Sequence, residues 1–114
     1  MYGTRAFNPT GPTVLVSGSI SPVALQVLSV GAPPANNYRI HNAGTDTVYI
    51  AFGVDASTAA ANAVIPTGSG ANAKNSYPLP TGAVEVFTAL QNCYWAARIA
   101  AGTASVFVTP GAGL

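Results

Sequence analysis

The side chains able to do chemistry are few: one histidine, one cysteine, three carboxylates and four cations in 114 residues. His41 and Asp46, with any of several serines, supply the residue types of an acyl-transfer triad, in which imidazole takes the serine proton and a carboxylate orients the imidazole. They flank one hairpin, however, where a polar contact between neighbouring strands is the ordinary outcome. Asp55 and Glu85 are the only spare carboxylate pair. Glycoside hydrolysis needs two carboxylates about 5–9 Å apart, and nothing in the spacing brings these together. A metal site needs three or four His, Cys or carboxylate ligands, which one histidine and three scattered carboxylates do not offer. The glycines of Thr67–Ala71 lack the strand–loop–helix context and the lysine of a phosphate-binding loop. Cys93 stands alone, which excludes an internal disulfide and points to a small buried side chain. No enzyme is indicated, and no catalytic, cofactor-binding or metal-binding residue.

What remains are side chains suited to contact a partner: Tyr2, Arg5 and Phe7 near the N-terminus, and Phe87, Tyr94 and Phe107 in the last third. The last third contains three runs rich in β-branched and aromatic residues, Ala83–Thr88, Tyr94–Ile99 and Ala104–Thr109. Gln91-Asn92 and Ala101-Gly102 separate them, the residue types of tight hairpins. Two-residue loops set a meander with Val84 opposite Ile99 and Ala104, and Val86 opposite Ala97 and Val106. Side chains alternate between faces at period two, so Val84, Val86, Trp95, Ala97, Ile99, Val106 and Val108 form a core face. The other face then carries a Glu85–Arg98–Ser105 row, a Phe87–Ala96–Phe107 row, and Tyr94 with Thr109. An aromatic cluster on an outer face calls for a second layer or a partner.

Residues 1–12, with Pro9, Gly11 and Pro12, read as an extended N-terminal arm. Its Phe7 either tucks onto its own domain or reaches a neighbouring subunit. Residues 13–114 form one domain. Thr13–Ser17 is a first strand, and Val23–Val30, bounded by Pro22 and Gly31, a buried one. Tyr38–Asn42 and Thr47–Phe52 make a hairpin with an odd loop, Gly44 taking positive φ. That register puts Tyr38, Ile40, Val48, Ile50 and Phe52 inward and Arg39, His41 and Tyr49 outward. Asp55–Ala63 has no apolar stripe and reads as loop with a single helical turn, capped by Asp55 or Ser57. Thr67–Ser76 is small and polar, a mobile surface loop. These runs give an all-β chain, a single antiparallel β-sandwich of jelly-roll or Greek-key type.

Charged residues are 6% of the chain and the net charge is +1, against roughly 25% charged in an ordinary soluble domain. So few cations exclude a nucleic-acid footprint, while 49% hydrophobic content argues against disorder. No run of apolar residues is long enough for a transmembrane helix. The first twelve residues lack the apolar stretch of a secretory signal, which places synthesis in the cytoplasm. A surface this poor in charge has little protection against association. Much of it is therefore expected to be covered in an assembly.

Three segments carry a resemblance. Tyr38-Arg-Ile-His-Asn-Ala-Gly-Thr-Asp-Thr-Val-Tyr-Ile-Ala-Phe-Gly53, Leu79-Pro-Thr-Gly-Ala-Val-Glu-Val-Phe87 and Ala101-Gly-Thr-Ala-Ser-Val-Phe-Val-Thr-Pro-Gly111 resemble the small capsid decoration, or cement, proteins of tailed bacteriophages, over roughly Tyr38 to Leu114. The resemblance implies a β-sandwich on the outside of an icosahedral head, a homodimer or higher homo-oligomer bridging neighbouring major capsid proteins, with no catalytic residues. A second expectation is a carbohydrate- or receptor-binding module of a phage fibre or tail, in which Tyr49, Tyr77 and Tyr94 stack on sugar rings.

Overall fold

A computed structural model of the chain describes residues 7–29, 36–67 and 74–112. The chain is all-β apart from one short helix. Its strands are β1 (Asn8–Pro9), β2 (Val14–Ser19), β3 (Leu25–Gln26), β4 (Asn37–Asn42), β5 (Val48–Gly53), β6 (Tyr77–Leu79), β7 (Val84–Thr88), β8 (Tyr94–Arg98) and β9 (Ala104–Ala112), with α1 (Ala56–Asn62) between β5 and β6. The hydrogen-bonded order is β6-β5-β8-β2-β9-β4-β7, with β1 added to β9 and β3 to β8. This sheet curls until it is nearly closed into a barrel. Its two ends meet through side chains: the Tyr77 ring of β6 packs edge-on against Phe87 of β7, centroids 5.0 Å apart. The Tyr77 hydroxyl donates to Glu85 at 3.2 Å.

Consecutive strands do not pair as the alternation suggests. The meander of the last third is absent: β7 pairs with β4, β8 with β5, β2 and β3, and β9 with β4 and β2. Nor is there a β4–β5 hairpin, since β5 pairs with β6 and β8. The inward residues of that supposed hairpin are nonetheless right. Tyr38, Ile40, Val48 and Ile50 are buried in one core, with Phe52 packed against it. Gly44, expected at positive φ, is not among the residues that adopt it. Close approach accounts for this glycine instead, because a Cβ here would lie 2.7 Å from the Cβ of Ala104.

The crossovers have identifiable latches, both on β4. At one end, the buried Tyr38 hydroxyl donates to the carbonyl of Leu90 at 2.6 Å and accepts from the amide of Cys93 at 3.3 Å. Burial and the neighbouring Cys93 hold that phenol protonated. These bonds fix residues 89–93 against β4, so that the turn at Gln91–Asn92, with Asn92 at φ 55°, leads β8 away from β7 instead of pairing it there. At the other end the Asn42 side chain, fully buried, donates to the carbonyls of Asp46 (2.8 Å) and Leu79 (2.9 Å) and accepts from the Gly44 amide at 2.9 Å. Thr81 adds a hydroxyl bond to the Gly44 carbonyl. Asn42 thus ties the β4–β5 crossover to the end of β6.

Inside, Trp95 is 2% exposed and its ring centroid lies 5.2 Å from that of Tyr38, 5.4 Å from Phe52 and 6.0 Å from Phe87. The expected core residues Trp95, Ala97, Ile99, Val106 and Val108 are buried. Val84 and Val86 are not, at 40% and 36% exposure. Pairing with β4 instead of β8 turns β7 over, so Phe87 faces the core and the two valines face out. Of the expected buried strand Val23–Val30, Val30 lies outside the described residues. Within 23–29 only Leu25–Gln26 is strand; Val23, Leu25 and Leu28 are exposed, and Val27 and Ser29 are buried. The expected loop at Asp55–Ala63 contains the seven-residue α1, whose N-cap Asp55 accepts from the Thr58 amide at 2.7 Å. That bond lowers the Asp55 pKa. Ala59 and Ala63 complete a small alanine cluster with Ala51 and Ala96. Of the expected mobile loop Thr67–Ser76, residues 68–73 lie outside the described residues.

Two substitutions test these constraints. Trp95→Ala removes the ring at the centre of the aromatic cluster and should cost about 3–5 kcal/mol in chemical denaturation. Asn42→Leu leaves the carbonyls of Asp46 and Leu79 and the Gly44 amide without the partner they have, and should cost roughly 3 kcal/mol. An Asn42→Leu protein as stable as the parent would refute the latch.

Candidate interaction surface

Strands β7, β4, β9 and β2 present one continuous outer face. Register aligns Val84 with His41, His41 with Phe107, and Phe107 with Leu15, so four strands contribute to a single cross-strand row. Neighbouring strands lie about 4.8 Å apart, which makes the row roughly 14 Å long. Leu15 is 50% exposed and Phe107 38%, and the His41 ring stacks over Phe107 with centroids 6.4 Å apart and planes at 29°. The next row holds Val86, Arg39 and Thr109, with the Thr109 hydroxyl 2.7 Å from that of Thr13. Isolated exposed apolar residues are normal, but a contiguous row of them marks a contact site. Arg39 sets a cation beside the row.

The six expected contact residues separate. Tyr2 and Arg5 lie outside the described residues. Phe7 packs back on its own domain against Gly111, where a Cβ would come within 2.3 Å of the ring. Behind it Asn8 and Pro9 pair with Ala112 and Gly111, and the Thr10 amide donates to the Pro110 carbonyl at 2.9 Å. Phe87 packs on the core, and so cannot share a face with Phe107. Tyr94 is half-buried and packs with Ala24 against the alanine cluster. Of the six, Phe107 alone lies on the row. Leu15, His41 and Val84 were missed because alternation gives the parity of a residue but not which strand lies beside it.

A second group of exposed apolar side chains, Ile20, Val23, Leu25 and Leu28, follows β2 along the chain and borders β8, with Val23 70% and Ile20 59% exposed. A depression of about 280 Å3 is lined by Asp46, Thr47, Tyr49, Ile99, Ala100 and Ala101. The three tyrosines expected to stack on sugars do not form a platform. Tyr49 lines this depression, Tyr77 packs on Phe87 at the seam, and Tyr94 covers the alanine cluster.

The expected catalytic and metal constellations gain no geometry. His41 stacks on Phe107, whereas Asp46 lines the depression. Among the described residues no three His, Cys, Asp or Glu side chains group as metal ligands. Cys93 is buried, and that burial pushes its thiol pKa up, away from a reactive thiolate. No helix among the described residues is long and apolar enough to cross a membrane. Neither a family model, a curated protein nor a solved structure matches the chain.

The two phenylalanines should therefore behave oppositely. Phe87→Ala should destabilise by about 2–4 kcal/mol, as deletion of a core-packed ring does. Phe107→Ser should change stability by no more than about 1 kcal/mol while reducing the binding of an apolar dye such as ANS. Thermal melts and dye titration of both variants give the comparison.

Proposed function

We propose that this chain is a non-enzymatic virion structural protein that decorates and stabilises a bacteriophage capsid by bridging major capsid proteins. The observation that carries the reading is the exposed Leu15–Phe107–His41–Val84 row on a chain with 6% charged residues. A partner that buries such a row gains apolar area at little cost in desolvated charge. The chain acts on the capsid exterior as a homodimer or higher homo-oligomer, after synthesis in the host cytoplasm, without nucleic acid, membrane or cofactor. The resemblance of residues 38–53, 79–87 and 101–111 to decoration proteins points the same way.

The jelly-roll form of a β-sandwich is supported by the crossovers, because β7, β8 and β9 each leave their sequence neighbour for another part of the sheet. In this reading residues 1–12 are the arm. Its inner part, from Phe7, is held on β9, and the segment bearing Tyr2 and Arg5 is the portion that reaches a neighbour. Deleting residues 2–6 therefore spares the β1–β9 pairing, whereas deleting the whole arm does not. A saccharide- or receptor-binding role in a fibre or tail is favoured by one feature, the Tyr49 depression with Asp46 at its rim.

Co-sedimentation with capsids lacking the protein tests the proposal. The parent should bind and raise the temperature the capsids survive, by mass action on the bound state. Phe107→Ser should weaken binding by about 1–2 kcal/mol, roughly 10-fold. Binding to a glycan panel and not to capsids, with loss on Tyr49→Ala, would replace the capsid reading by the saccharide one.

A further inference from the structure

The nearly closed sheet leaves two edges, and they are built differently. Strand β6 carries Pro78, which has no amide to donate, and is followed by Pro80. Proline on an edge strand is a standard protection against pairing with another chain. Strand β7, Val84-Glu-Val-Phe-Thr88, has no proline, no lysine and no bulge. Among the described residues it has one ladder partner, β4.

The direction of its free groups follows from the hydrogen bonds at either end. Asn42 donates its amide to Ala83 at 3.0 Å, and Ala89 donates to Asn36 at 2.9 Å. Hydrogen-bonded pairs alternate along an antiparallel ladder. In the register of β4 with β7, Glu85, Phe87 and Ala89 therefore point their amides and carbonyls at β4, as does the Ala83 carbonyl, while the Ala83 amide donates to Pro80 at 3.0 Å. The β4–β9 ladder agrees: the Ala43 amide donates to Ser105 at 2.9 Å, leaving the even-numbered residues of β4 for β7. The amides and carbonyls of Val84, Val86 and Thr88 consequently point away from β4, along the open edge. Tyr77 reaches Glu85 and Phe87 through side chains, and among the described residues no β6–β7 ladder takes up these backbone groups.

We propose that two copies of this chain pair antiparallel along β7, with Val86 facing its counterpart across a two-fold axis. With Val86 on the axis, Val84 falls opposite Thr88 of the second copy, and every free amide of the edge meets a free carbonyl. The self-complementarity is that of an isologous interface. The outward side chains meet as a Val86–Val86 pair flanked by Val84–Thr88 pairs, a favourable cross-strand combination. Charge does not oppose it. The nearest like charges on the outer face, the two Arg39 side chains, stand three strand spacings or about 14 Å apart, beyond a Debye length at physiological salt. The two Glu85 carboxylates lie diagonally, roughly 8 Å apart, exposed to water, each with the Tyr77 hydroxyl of its own copy.

This deepens the oligomer in the capsid reading but does not rest on capsid binding, since it concerns the purified chain alone. Sedimentation equilibrium of the parent should show a monomer–dimer equilibrium. Amide exchange followed across the same concentrations should slow at Val84, Val86 and Thr88 as the dimer forms. The amides of Glu85 and Phe87, already bonded to β4, should be protected at every concentration. Val86→Pro removes a donor that β4 does not use, and Val86→Lys sets two ammonium groups against each other on the axis. Each should weaken dimerisation at least 10-fold and leave the circular dichroism of the parent, with the lysine variant serving if proline disturbs the strand. A parent that stays monomeric up to millimolar concentration overturns the proposal. So does slow exchange at Val86 in the dilute monomer, which would mean that the chain covers its own edge, or a dimer that persists in both variants.

Discussion

The buried amide of Asn42 sets which strands can be neighbours. Its three side-chain hydrogen bonds go to the β4–β5 crossover and to the end of β6, and the backbone of the same residue bonds Ala83 and Gly82. An unpaired buried amide costs on the order of 1–3 kcal/mol for each group left unsatisfied. Arrangements that bury Asn42 without those partners are penalised by a sizeable part of a small domain's net stability. Of the three, the bond to the Leu79 carbonyl is the one that reaches beyond the β4–β5 connection, and a β4–β5 hairpin that carried β4 away from the end of β6 would lose it. Tyr38 does the equivalent at the opposite end of the strand, where its hydroxyl holds residues 90–93. One strand thus directs the chain at both ends of the barrel.

This explains what the sequence revealed and what it hid. Alternation reports which side chains face inward, and for β4, β5, β8 and β9 it does so correctly. Tyr38, Ile40, Val48, Ile50, Trp95, Ala97, Val106 and Val108 are all core residues. Pairing depends instead on loops of five residues whose direction is decided by single polar side chains, and nothing in a hydrophobic pattern encodes that. The error propagated to the surface. With β7 assigned to β8, Val84 and Val86 became core and Phe87 became an outer residue; with β7 on β4 the assignments exchange. At Val23, Leu25 and Leu28 the apolar run misleads for a different reason, because such a run signals burial only where the protein has somewhere to bury it, as it has at Val27.

What composition says of the surface does not depend on register. Four cations and three carboxylates are too few to cover the outer surface of this barrel wherever the strands run. The exposed area must then be made of uncharged polar groups and of residues such as Leu15, Val23, Phe107 and Val84. The row across β7, β4, β9 and β2 is the ordered part of that surface, since rigid strands hold each side chain at a fixed spacing. A row held this way loses little conformational entropy on binding, and such ordering is among the main costs that oppose association.

The position of the row also bears on how the two proposed contacts combine. Val84 is both the end of the apolar row and a residue of the open β7 edge. Pairing through Val86 leaves the outer face of β4, β9 and β2 uncovered, because an added strand extends the sheet in its own plane and does not stack upon it. The two rows are then displaced along the strand direction by the four residues that separate Val84 from Thr88, about 13 Å. They face the same side and are related by the two-fold axis. Such a dimer offers two identical apolar contacts at a fixed separation. Engaging both makes the second contact intramolecular, which multiplies a weak single affinity. The bridging role proposed above needs this geometry more than it needs a tight individual site.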